Sequence, residues 1–230
     1  MQTNKNMAIR NISFEIDEYY HLCNRGVDKR IIFNEEYDTE RFLQSMEELN
    51  TSDPIGSIYE YSFTKKAQLG SRTPKFPASS KLVEFVAFCL NPNHYHFIVT
   101  PLMEKGIEKF MQKLGTGYTN YFNNKYKRSG ALFQGRFKAV HIGSNEQLLH
   151  VSAYVNLNNR THQLGSPASK LVESKSSWRE YVGESEDHFC NKDIILGQFK
   201  NVSEYKKFAE SSLQSILDRK EGLRLLEEFE

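Results

Sequence analysis

Apolar and polar positions along the 230-residue chain repeat with two periods, and the changes between them divide it into elements. Ile12 to Arg25 (ISFEIDEYYHLCNR) has the β-branched and aromatic content of a strand, closed by Gly26. Arg30 to Asn34 is short and apolar, the end of a hairpin or a second short strand. From Asp38 to Leu49 the apolar residues Phe42, Leu43, Met46 and Leu49 fall at helical spacing, with Asp38 or Thr39 as the cap. Asn50 to Lys81 is interrupted by Pro54, Gly56, Gly70, Pro74 and Pro77, which predicts a loop-rich excursion with a short strand at Ile58 to Phe63. Leu82 to Leu90 and His94 to Thr100 are strands on either side of an Asn91-Pro92-Asn93 turn, which predicts a hairpin. Lys105 to Tyr126 carries an apolar stripe of Ile107, Phe110, Met111, Leu114, Tyr118, Tyr121 and Phe122, the packing face of a long helix. Ala131 to Ile142 returns to strand character. A helix over Asn145 to Asn158 follows, opened by Ser144 and Gln147 in the spacing of a capping box. Val202 to Glu228 again has helical spacing, predicting one or two amphipathic helices that pack on the core or on a second subunit.

Two of these elements hold groups with chemistry to offer. In a strand, residues two apart leave the same face, so His94 and His96 share one side and Tyr95 takes the other. Paired imidazoles are half of a cation site, but two polar residues on a solvated face satisfy the same pattern. In the later helix Tyr154 and Asn158 are four apart and stack on one face, at the border of a stripe formed by Leu148, Val151 and Val155. Taken alone, Tyr154 reads as a packing tyrosine rather than a nucleophile.

Composition narrows the function classes. The formal charge of +1 excludes overall basicity, yet from Lys105 to His141 eight bases (Lys105, Lys109, Lys113, Lys125, Lys127, Arg128, Arg136 and Lys138) face one acid, Glu108. Such a patch suits a polyphosphate partner or is a solvated surface. Three widely spaced cysteines, Cys23, Cys89 and Cys190, form no CxxC pair and suggest neither a disulfide framework nor a thiolate zinc cage. The opening MQTNKNMAIR lacks the apolar core of a signal peptide, and no long apolar run suggests a membrane span. The expectation is a cytoplasmic protein.

Taken together, the motifs NHYHF, LFQGRFK and YVNLNN resemble those of the single-tyrosine HUH endonucleases, and within them the REP-associated tyrosine transposases of bacteria. HLCNRG, MQKLGTGYTNYFNNKYKRSG and SSWREYVG extend the resemblance from Tyr19 to Gly183. Tyr154 follows His96 by 58 residues and precedes Asn158 by four, as the family's nucleophile and amide ligand do. The chain departs from the family where Asn158-Asn159 stands in place of the usual Asn-Pro, which removes a helix stop and no reacting atom.

The resemblance implies an α+β, ferredoxin-like antiparallel sheet with helices packed on it over residues 1–183, and a helical extension over 184–230. It implies a metal-dependent single-stranded DNA endonuclease that cleaves and rejoins hairpin-containing sites through a 5′-phosphotyrosine. Tyr154 would be the nucleophile, and His94, His96 and Asn158 the ligands of Mg²⁺ or Mn²⁺. Arg136, Lys138, Lys125, Lys127 and Arg128 are the expected DNA contacts, Arg136 and Lys138 sharing a strand face if extended. The chain is expected to act as a monomer or homodimer, with no membrane partner. Two other readings stay open: a hairpin-binding regulator that does not cut, and a hydrolytic metallonuclease in which Tyr154 is structural.

Overall fold

The computed structural model of the chain describes residues 13–54, 80–161, 172–185 and 188–227. Four long strands run in the order β–α–β–β–α–β: β1 (Tyr19–Arg25), α1 (Glu36–Glu48), β2 (Val83–Asn91), β3 (His94–Pro101), α2 (Gly106–Lys125) and β4 (Lys138–Ile142). α3 (Asn145–Asn156), β5 (Lys175–Ser176), α4 (Trp178–Tyr181), α5 (Asp193–Leu196) and α6 (Val202–Glu227) follow. The sheet order is β4-β1-β3-β2-β5 and every pairing is antiparallel. The first four strands therefore have the ferredoxin-like arrangement that was expected, with β5 added beside β2.

Strand alternation sends the two faces of the sheet to different cores. Tyr20, Leu22, Phe85, Tyr95, Phe97 and Val99 pack with Phe42 and Met46 of α1 and Phe110, Leu114 and Tyr118 of α2. On the opposite face Val86, Ala87, Cys89 and Ile98 pack with Leu148, Ala153 and Val155 of α3, with Trp178 and Tyr181, and with Tyr205 and Ala209 of α6. Val86 and Ala87, though adjacent, both join this second core. The register of β2 against β3 shifts between Phe85 and Ala87, and a β-bulge there supplies the extra residue.

Several boundaries differ from those predicted. β1 begins at Tyr19, because residues 13–18 form a turn in which Asp17 has a φ of 66° and the Tyr20 hydroxyl accepts from the Glu15 N–H. Arg30 to Asn34 is neither strand nor hairpin. Its Ile32 and Phe33 amides both donate to the Pro92 carbonyl, at 2.7 and 3.1 Å, tying it to the β2–β3 turn. α1 starts earlier than expected, with Glu35 as cap and Asp38 in the third helical position, each side chain answering the other's backbone. Residues 131–137 are not strand apart from an isolated bridge between Gly26 and Phe133. Ser144 caps α3 as predicted, accepting from the Gln147 N–H at 3.1 Å. The helix ends at Asn156, however, and Asn158 opens a separate 3-10 turn, Asn158–Thr161. The predicted strand at Ile58 to Phe63 lies outside the described residues.

Candidate functional site

The site is built on the α3 face of the sheet, where β3 begins. The two-residue turn at Pro92 and Asn93 sets the register, so that His94 stands between Asn91 of β2 and Arg25 of β1. One step along the face, His96 stands between Cys89 and Cys23. α3 crosses above them, so this face is covered rather than solvated, and His94 and His96 are both buried.

Four side chains predicted from separate stretches meet here. The Tyr154 ring stands edge-on to His96, with centroids 5.4 Å apart and planes at 80°. His94 and His96 are likewise perpendicular at 5.1 Å. The Asn158 amide oxygen lies 3.3 Å from Nε2 of His94, and the Asn158 side chain lies close enough to the Tyr154 phenol to lower its pKa. Although Asn158 is not in the same helix as Tyr154, the 3-10 turn returns it to the same place.

Three neighbours complete the arrangement. His21 of β1 stacks on His96 at 5.1 Å with nearly parallel planes, its Nε2 2.9 Å from Nδ1 of His96, and stands edge-on to Tyr154 at 6.0 Å. Burial pushes the His21 imidazole down to a pKa of about 4, so it is neutral at physiological pH. Asn91, 2% exposed, directs Nδ2 to Nε2 of His94 at 3.0 Å and to Oδ1 of Asn158 at 2.8 Å. Sequence reasoning gave Asn91 only a turn role, since nothing in its spacing separates a turn residue from one facing a site. Arg25 is the third. Burial raises the Tyr154 phenol above its ordinary pKa, while the neighbouring Asn158 amide and the Arg25 charge pull it down.

Could these groups hold a divalent ion? Two imidazoles and an amide oxygen are a reasonable donor set for Mn²⁺ or a harder borderline ion. The structure tests this directly. Lone pairs on His94 and Asn158 already converge on one electropositive group, the Asn91 amide N–H₂, as they would on a cation. No cluster of three or more His, Cys, Asp or Glu side chains suited to a metal occurs among the described residues, because the third donor here is an amide.

The expected DNA contacts separate. Lys138, exposed on β4, pairs with Cys23 and is carried on the site face. Arg136 lies before the strand, so the two do not share a strand face. It lines a groove of about 800 Å³ with Asn24, Thr116, Asn120 and Phe133, beside α2 on the other side of the sheet. Lys125 is engaged by Glu35 and, at 2.6 Å, by the buried carboxylate of Asp38. Arg128 donates to Asn123 at 2.6 Å and lies over the Phe122 ring. Lys127 is exposed beyond the end of α2.

Residues 72–158 match the family model described as "Transposase IS200 like". This segment is similar to the IS200-like transposases. It includes His94, His96, Tyr154 and Asn158, and the resemblance to insertion-sequence-type transposases is borne out over it. β1, with His21 and Arg25, lies outside the IS200-like segment, as does α6. A solved structure described as a REP-associated tyrosine transposase bound to a REP hairpin aligns with a TM-score of 0.48 at 12% identity, covering 80% of this chain and 90% of that one. No curated protein matches the chain. No described helix is long and apolar enough to cross a membrane.

Proposed function

We propose that the protein is a tyrosine transposase that cuts and rejoins single-stranded DNA at hairpin-bearing sites. The observation that carries this reading is the meeting of Tyr154, His94, His96 and Asn158 on one covered sheet face within a segment matching the IS200-like transposases.

A half-buried phenol with a raised pKa is protonated at neutral pH and is a weak nucleophile. His94, His96 and Asn158 would hold a divalent ion, Mg²⁺ or Mn²⁺. Such an ion, when bound, polarises the scissile phosphate and offsets charge building on its oxygens. Asn158 stands between the two halves of the site, its oxygen turned to His94 and its side chain beside Tyr154. Tyr154 Oη gives its proton to water and attacks phosphorus. A P–O bond forms, the P–O3′ bond breaks, and the leaving strand takes a proton to become a free 3′-hydroxyl. Because the 5′-phosphotyrosine is still a phosphodiester, another 3′-hydroxyl can displace Tyr154 and rejoin the strand without an external energy source. Lys138 and Arg25, carried on this face, are placed to contact the phosphate backbone, as the exposed Arg136 and Lys127 are elsewhere.

The test is incubation with Mn²⁺ and end-labelled single-stranded hairpins. The expected result is a denaturation-resistant protein–DNA adduct that Tyr154→Phe abolishes. Cutting by Tyr154→Phe would indicate hydrolysis, and binding with no adduct from the unaltered protein would indicate a regulator.

A further inference from the structure

We infer that Asn91 is a fourth donor of the cation site and reaches it by turning over its amide. This rests on the metal reading above. The Asn91 side chain is buried and stands directly opposite His94 in the hairpin register. Its Nδ2 is 3.0 Å from Nε2 of His94 and 2.8 Å from Oδ1 of Asn158, so its two N–H bonds occupy lone pairs that a cation needs. A cation arriving between those atoms meets the positive end of the Asn91 amide. That arrangement is repulsive, and a half-turn about the terminal torsion removes the repulsion, placing Oδ1 where Nδ2 stands with little change in shape.

The far side of the amide makes the turn feasible. Oδ1 of Asn91 accepts from the Cys89 thiol at 3.8 Å. Sulfur is both a weak donor and a weak acceptor, so it can receive the N–H₂ group after the turn. Neither orientation leaves a buried amide atom facing a purely apolar wall. In the metal-free protein Asn91 thus acts as a placeholder that keeps His94 and Asn158 converged. With the ion bound, a second amide oxygen makes the protein's donor set two nitrogens and two oxygens, shifting preference toward the harder Mg²⁺ and Mn²⁺.

The experiment measures Mn²⁺ binding to the full chain by calorimetry, alongside the melting temperature with and without Mn²⁺. Asn91→Leu, of similar volume but without a donor, should bind Mn²⁺ at least about tenfold more weakly. Asn91→Asp, which places a carboxylate against the Asn158 oxygen, should melt lower than the parent without metal. It should gain more from Mn²⁺ than the parent does and bind the ion more tightly. A purely structural Asn91 would show no such gain. If His94→Ala and His96→Ala abolish binding while Asn91→Leu binds like the parent, this inference fails and the site reading stands. Unchanged Mn²⁺ binding in both histidine variants would overturn the site reading and this inference with it.

Discussion

At the residue scale, each histidine has its Nδ1 engaged by a neighbouring side chain before any ligand arrives. Nδ1 of His94 meets Oδ1 of Asn93 at 2.6 Å, and Nδ1 of His96 meets His21. Both rings would therefore reach a cation through Nε2, and their orientation is set by these partners. His21→Phe, which keeps the ring and removes the nitrogen, should weaken Mn²⁺ affinity about 10- to 100-fold with little loss of folding. His21→Gln, able to accept from Nδ1–H, should recover part of it; calorimetry on both variants checks this. The same-face placement of His94 and His96 was legible in the sequence because strand alternation is strictly two-residue. His21 was legible only as a histidine on the first strand, since which strand lies beside β3 is decided by sheet order. The fate of Lys125 was not legible at all. A run of bases looks alike whether its members face solvent or, as here, reach a carboxylate far away in the chain.

At the scale of elements, that carboxylate fastens α1 to the end of α2. Asp38 accepts from the Tyr121 hydroxyl at 2.8 Å and from Lys125 on one oxygen, and from the Tyr126 hydroxyl at 2.7 Å and the Asn34 N–H at 2.9 Å on the other. Burial alone would raise its pKa, but the hydrogen bonds from Lys125, Tyr126, Tyr121 and Asn34 outweigh it and hold the pKa below the ordinary value. The unfolded chain thus takes up this proton at higher pH than the folded one. The stabilisation is present above about pH 4 and is lost as pH falls through the depressed folded value. Asp38→Asn should remove about 3 kcal/mol at pH 7, by leaving Lys125 and two phenols with a poorer acceptor. It should also flatten the fall in stability below about pH 4; urea unfolding followed across pH measures both. At the other end of the fold, Ser144→Ala should cost about 1 kcal/mol through the lost cap on α3. Element order and type followed from periodicity, whereas the start of α1 and the length of β4 did not. In α1 the capping pair is Glu35 with Asp38, and Glu35 is a less common cap than the Asp and Thr that follow it. Before β4, apolar Leu132 and Phe133 are buried with no more pairing than the single bridge of Phe133 to Gly26, so their hydrophobicity imitates a strand.

At the scale of the molecule, the sheet is a partition with structural aromatics on one side and the candidate site on the other. α3 is held onto its side of the partition from behind. The Tyr205 hydroxyl of α6 accepts from Asn156 Nδ2 at 2.9 Å and lies 3.3 Å from the Ser152 hydroxyl, while His150 meets Ser212 at 3.1 Å. Asn156 in turn accepts from Ser177 at 2.5 Å, joining the helix to the segment after β5. Tyr205→Phe leaves these buried groups short of a partner and should cost about 1–3 kcal/mol. It should lower adduct formation more than hairpin binding, because it loosens the helix carrying Tyr154 without touching the exposed bases; gel shift and adduct yield on one preparation separate the two effects.

This backing helix has a consequence for how copies of the chain could cooperate. A phenol anchored from behind by its own polypeptide stands beside the histidines of that same polypeptide, which predicts that each copy acts with its own tyrosine. Mixing a His96→Ala protein with a Tyr154→Phe protein should therefore regenerate no adduct, even at concentrations where molecules associate.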